Sequence, residues 1–170
     1  MGNKKYAKSL EIIKNTSKKT YDKLIIKIWK NRKWEYSLFL TLVPTKKDEN
    51  WNIIMVSKKN PIIKKEQNYP TFDYDKKKIK RIDMDNLIVI KRMLLTNLWY
   101  YNLENIEKPL ALYWEKWKMD IQMFKWNLFI KYFDVLDKEN TYMSFLSKME
   151  QEKLLYLIEK VIQLNINQFV

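Results

Sequence analysis

Two runs rich in β-branched and aromatic residues, 24–29 and 34–43, flank the polar triplet Asn31, Arg32 and Lys33, and this hairpin signal restricts the fold more than any other feature of the sequence. Side chains alternate between the faces of a strand, so the register of the pair decides what is buried. A two-residue turn would set Trp29 opposite Trp34 and mix charge with bulk on both faces. A three-residue turn sets Ile28 opposite Tyr36, Ile26 opposite Leu38 and Leu24 opposite Leu40, giving one continuous apolar face, and this is the expected register. Lys23, Ile25, Lys27, Trp29, Glu35, Ser37, Phe39 and Thr41 then share the opposite face. Pro44 ends the second strand, and residues 51–57 are expected as a third strand of an antiparallel meander.

Around this sheet the pattern turns helical. Tyr6, Leu10 and Ile13 behind Asn3 predict a short amphipathic helix over residues 4–15. Residues 59–81 carry Pro61, Pro70 and paired lysines with little periodicity, and are expected as an irregular basic connector with a short strand at 61–64. A helix is predicted from the caps Asp83 or Asp85 to about residue 101. A longer one is predicted from Pro109, because Leu110, Trp114, Trp117, Ile121, Phe124 and Leu128 alternate spacings of four and three. Ser147 and Glu150 form a capping box ahead of Leu154, Leu155, Ile158, Val161 and Ile162. The expected fold class is α+β: an N-terminal helix, a three- or four-stranded antiparallel meander, then three C-terminal helices packed on the sheet. It forms a single domain, 1–170, with a basic β-rich half (1–81) and a helical half (82–170), and no internal repeat is visible in the sequence.

Absent residue types exclude much chemistry. The chain has no cysteine, which removes disulfides, thiolate nucleophiles and zinc-thiolate or iron–sulfur sites. It has no histidine, which removes the usual general base near neutral pH and the commonest transition-metal ligand. Gly2 is the only glycine, so glycine-built phosphate loops are excluded. No cofactor is expected. Residues 1–10 lack an apolar signal core and the stretch 87–95 is interrupted by Lys91 and Arg92, so neither a secretory signal nor a membrane span is expected and a cytoplasmic location is.

Charge is unevenly spread: residues 1–81 hold 22 Lys and Arg against 8 Asp and Glu, a net +14, and residues 82–170 hold 11 against 12, a net −1. A general bias toward lysine would not confine the excess to one half, so an anionic partner is expected there. The candidate binding residues are the connector cations Lys58, Lys59, Lys64, Lys65, Lys76, Lys77, Lys78, Lys80 and Arg81, the turn cations Arg32 and Lys33, and the hairpin face with Lys23, Lys27 and Trp29, where bases could stack beside cations. Asp73, Asp75, Asp83 and Asp85 have paired two-residue spacings that could serve a two-metal nuclease, although capping and charge balance explain them as simply. The Trp and Met density from Trp114 to Trp126 reads as core.

The expected function is a non-catalytic binding protein that engages RNA, or a nucleic-acid-bound protein complex, through its basic half. RNA is preferred to DNA because aromatic, lysine-rich sheet faces suit single strands and no groove-reading helix is identifiable. The alternative is an inhibitor that docks on a nucleic-acid-processing enzyme such as a CRISPR effector. In its character the chain resembles small phage and mobile-element inhibitors, anti-CRISPR proteins among them: short, motif-free, cofactor-free and compositionally biased.

Overall fold

The computed structural model describes residues 9–17, 20–30, 35–98, 110–114, 116–124, 127–136 and 141–166. Ten strands and two long helices fall among them. The first half contains β1 (Ser9–Ser17), β2 (Thr20–Lys30), β3 (Tyr36–Pro44), β4 (Met55–Lys59), β5 (Glu66–Pro70) and β6 (Lys78–Ile82), then helix α1 (Met84–Leu98). The second contains β7 (Leu110–Trp114), β8 (Trp117–Phe124), β9 (Asn127–Asp134) and β10 (Thr141–Leu146), then helix α2 (Lys148–Ile166). One antiparallel sheet has the order β1-β2-β3-β6, the other β10-β9-β8-β7, and β4 with β5 makes a separate ribbon. Each half therefore runs four sheet strands and a helix, with the ribbon inserted between the third and fourth strands of the first. The topology repeats although the sequence does not.

The expected arrangement of one sheet with four helices is thus corrected to a mostly β fold with two helices. Residues 1–8 lie outside those described, and the rest of the expected N-terminal helix is strand β1. Leu10 and Ile12 are buried while Glu11 and Ile13 are exposed, which is the two-residue period of a half-buried strand. The expected long helix after Pro109 is three strands. Trp117, Met119 and Ile121 alternate with Lys118, Asp120 and Gln122, and pairings such as Ile121 with Ile130 bury one face only. So many residues there are apolar that helical spacing and strand alternation were both satisfied. The helix expected after Asp83 is α1, and that expected after Ser147 is α2. At the latter, the Ser147 N–H donates to Glu150 Oε1 at 3.0 Å and the Glu150 N–H to Ser147 Oγ at 3.3 Å, a reciprocal capping box.

The β2–β3 pair is longer in its loop than expected. Ile28 faces Leu38, Ile26 faces Leu40 and Leu24 faces Leu42, and the pairing ends at Lys30 with Tyr36. The register is shifted by two residues from the three-residue turn, and a shift of two preserves every face assignment. Leu24, Ile26 and Leu38 accordingly have no exposed surface, each burial contributing about 1.5–3 kcal/mol. The expected third strand of the meander is also corrected: β4 pairs with β5, and β6 takes the edge of β3. Residues 61–64, expected as a short strand, form the turn of the ribbon instead.

One buried cluster joins both halves. Leu24, Ile26, Leu38 and Leu40 of the first sheet meet Met119, Ile121, Leu128 and Ile130 of the second, with Leu87, Ile90 and Leu94 of α1 and Leu154, Ile158 and Val161 of α2 between them. Helix α2 packs on the leucine-rich face of the first sheet, against β1, β2 and β3, whereas α1 packs on α2 and on β8 and β9 of the second sheet. Neither helix lies on the other face of the first sheet.

Candidate nucleic-acid interface

The face of the first sheet away from the helices, buried at its Val43 end and exposed at Trp29, is built in rows across the strands. One row runs Ser9, Lys27, Phe39 and Arg81; the next runs Glu11, Ile25, Thr41 and Ile79. At strand spacings of about 4.8 Å, Lys27 and Arg81 stand roughly 10 Å apart with Phe39 between them. Trp29 lies diagonally beside Phe39, 58 % exposed, with Lys27 Nζ 4.6 Å from its ring centroid. Phe39 is half-buried and Lys27 and Arg81 are exposed. An aromatic row flanked by cations can take bases on its rings and phosphates on its edges.

Arg81 is oriented rather than mobile in solvent. Its Nε donates to Ser37 Oγ at 2.9 Å, and its terminal nitrogens lie 3.9 Å from Glu35 and from Asp83. Ion pairs this long and this exposed are weak, so a phosphate can displace them.

At the other end of the face Lys23 is 9 % exposed and locked in place. Its Nζ donates to Tyr74 Oη at 2.8 Å, pairs with Glu11 Oε2 at 3.3 Å and lies 5.3 Å from the Phe72 ring centroid. Burial pulls its pKa down, but the Tyr74 hydrogen bond and the Glu11 carboxylate outweigh that and hold it above the usual lysine value. Lys23 is a fastener that ties the segment after the ribbon to the sheet. Sequence reasoning missed Phe72, Tyr74 and Glu11 because their role depends on a contact between residues 51 positions apart.

The connector cations do not form one stripe. Lys58 and Lys59 are exposed on β4, and Lys64 and Lys65 are exposed in the turn between β4 and β5. Lys76 and Lys77 are exposed around a 3-10 turn over Tyr74–Lys76. In β6 the pleat splits the run: Arg81 is on the open face with Ile79, whereas Lys78 and Lys80 share the face of Ile82, toward the core. Lys78 Nζ sits 3.2 Å from the Trp117 ring centroid, and Trp117 stacks on Tyr132 at 4.9 Å. Burial lowers the Lys78 pKa below the usual lysine value, only partly opposed by the Asp134 carboxylate. That lysine fastens the two sheets together. Arg32 and Lys33 lie outside the described residues.

Three of the four aspartates have separate local roles for their carboxylates. Asp73 caps the 3-10 turn by accepting from the Asp75 N–H at 3.2 Å, Asp83 pairs with Arg81, and Asp85 sits in the first turn of α1 where the helix dipole favours it. Among the described residues no group of three or more His, Cys, Asp or Glu side chains could hold a metal ion. Nor, among them, is any helix long and apolar enough to cross a membrane.

Fold and face together define a mostly β protein of two helix-backed sheets in tandem, one with an open aromatic and cationic face. The chain matches no known protein family, and no curated protein matches it in sequence.

Proposed function

We propose that the protein is a non-catalytic binder of single-stranded nucleic acid, RNA before DNA, that holds its ligand on the open face of the first sheet. The observation that carries this reading is the row Lys27, Phe39 and Arg81 with Trp29 exposed beside it, on a face the helices leave free. Bases stack on Trp29 and Phe39, and phosphates reach Lys27, Arg81 and the exposed cations Lys76 and Lys77 at the sheet margin. Lys23 and Lys78, already engaged, position the frame. The test is fluorescence anisotropy of a labelled single-stranded RNA with wild type and Trp29→Ala, in competition with unlabelled single-stranded DNA and duplex RNA. The reading expects single strands to compete better than duplex and Trp29→Ala to bind weakly; equal competition by duplex, or an unaffected Trp29→Ala, overturns it.

A second reading, a protein-directed inhibitor that docks on a nucleic-acid-processing enzyme, draws support from the outer face of the second sheet. There Phe129 and Phe145 pair at 4.7 Å, and Met143 and Phe145 are exposed. Aromatic and methionine side chains are enriched at protein interfaces. Recovery from host lysate of a complex that survives nuclease and is lost in Phe145→Asp supports this second reading over the first.

A further inference from the structure

We propose, building on the nucleic-acid reading above, that the tip of the β4–β5 ribbon is a wedge whose Ile62 and Ile63 side chains enter between neighbouring bases of the bound strand. Ile62 is 88 % exposed, the most exposed large apolar side chain among the described residues, and its neighbour Ile63 is 55 % exposed. They stand at the end of a ribbon whose residues next to the tip are polar, Ser57, Lys58 and Lys59 on one strand and Glu66, Gln67 and Asn68 on the other, with Met55, Val56, Tyr69 and Pro70 toward its root.

The tip is held rather than loose. Asn60 organises it: its Oδ1 accepts from the Ile62 N–H at 2.9 Å, and its Nδ2 donates to Gln67 Oε1 at 2.7 Å and to Tyr69 Oη at 3.2 Å. Its backbone N–H donates to Lys65 O and its carbonyl accepts from the Lys64 N–H, both at 2.8 Å. Lys64 adopts φ of 54°, the left-handed region that is unfavourable for a non-glycine residue. So a fixed turn presents two adjacent aliphatics to water, with the ordering already done before any ligand arrives.

The surrounding charge selects the occupant. Lys58, Lys59, Lys64 and Lys65 flank the two isoleucines against the single carboxylate of Glu66, which Ser57 Oγ already engages at 2.8 Å. Apolar side chains that unstack a base step, flanked by lysines that reach the adjacent phosphates, are the two halves of a nucleic-acid wedge. The ribbon root is continuous with the open face: Thr45 bridges Phe72, the Asp73 N–H donates to Pro44 O at 2.9 Å, and Phe72 and Tyr74 close over Lys23 at the end of that face. The ribbon root thus adjoins the Lys23 end of the face, and a strand lying along that face from Trp29 runs toward the ribbon.

The test uses a single-stranded RNA carrying 2-aminopurine, whose fluorescence rises when its base unstacks, with wild type, Trp29→Ala and the double variant Ile62→Ser with Ile63→Ser. Circular dichroism of the double variant should match wild type, since neither side chain is buried. Wild type should raise the fluorescence; the double variant should bind about fivefold more weakly, keep the wild-type salt dependence and lose the fluorescence rise. A double variant that matches wild type in affinity and fluorescence overturns the wedge while leaving the platform standing. Wild type that does not bind RNA overturns both. Sedimentation with phosphatidylserine vesicles that wild type shows and the double variant loses would assign the isoleucines to a lipid surface and overturn the wedge.

Discussion

The two halves of the molecule share an order of elements and differ in what they show to solvent. In the first, the row Lys27, Phe39 and Arg81 presents two exposed cations, and the wider half carries a net +14. In the second half, whose net charge is −1, the outer face is equally aromatic and its two lysines stand beside one carboxylate. Lys118 lies 3.4 Å from Asp120 and within 5.6 Å of the Phe133 ring centroid, and Asp120 stands opposite Lys131 in the register. A helix on one side of a sheet secures the core and leaves the other side free to change. Topology therefore sets where a site can be, and surface charge sets which ligand it takes.

If the halves are equivalent in their cores, the most damaging changes should be equivalent too. Ile26 has no exposed surface and Ile130 only 2 %, and they occupy matching central strands. Ile26→Asp and Ile130→Asp should each destabilise the protein by about 3–5 kcal/mol, because each buries a carboxylate without a partner. Urea melts followed by tryptophan fluorescence check this; a mild effect of either would mean that its sheet is not part of the common core.

The next largest effect separates the faces. Trp29→Ala should remove about 1–3 kcal/mol of RNA-binding free energy, the range of one base stacked on an aromatic, without changing the urea midpoint. Phe133→Ala, at a half-buried ring on the second sheet, should leave RNA affinity as it is. Equal losses in anisotropy titrations would make the two sheets equivalent platforms and abolish the contrast.

Smaller and more specific is the response to salt. Replacing a phosphate-contacting cation should reduce the slope of log affinity against log salt by about 0.7 on a single strand. Lys27→Ala and Lys77→Ala should show this, and Lys78→Ala should not, because its ammonium is committed to Trp117. A slope change for Lys78→Ala equal to that for Lys77→Ala would restore the uninterrupted basic stripe that the sequence suggests.

The faces of β2 and β3 were legible from alternation alone, and survived a loop two residues longer than expected because faces repeat every two residues. Helices α1 and α2 were legible from Asp83 or Asp85 and from the Ser147–Glu150 box, which are local chemistry. The strands of the second half were not. With Trp117, Met119, Ile121, Leu128, Phe129, Ile130 and Phe133 apolar, periods of 2 and 3.6 both fit, and only burial distinguishes Phe129 from Leu128. The alternation along β2 puts Lys27 and Trp29 on the face they occupy. The separation of Lys78 from Arg81 is implicit in the alternation Lys78, Ile79, Lys80, Arg81, Ile82 once that segment is a strand. The ion pair of Lys23 with Glu11 and its hydrogen bond to Tyr74 belong to tertiary structure and leave no trace in local sequence.

The smallest effect concerns one polar contact between the halves, that of Lys78 with Trp117. Lys78→Met keeps an unbranched stem over the Trp117 ring and removes the charge. The ring attracts the ammonium by up to about 2 kcal/mol when water is excluded, whereas burial penalises it, so the two terms oppose and the net change in stability should stay within about 1 kcal/mol. The pH dependence still exposes the residue. Burial lowers the Lys78 pKa in the folded protein, so between that value and the unfolded value of 10.5 the unfolded chain binds more protons, and wild-type stability gains from this site as pH rises. Tyr132, whose pKa burial raises, acts in the opposite sense above about pH 10 in both proteins and cancels from their difference. The stability of wild type relative to Lys78→Met should therefore move in favour of wild type as urea melts are taken from about pH 8 toward pH 10. A difference that stays constant, or moves toward the variant, would mean that the Lys78 ammonium is solvated, and the contact joining β6 to β8 would then have to be sought elsewhere.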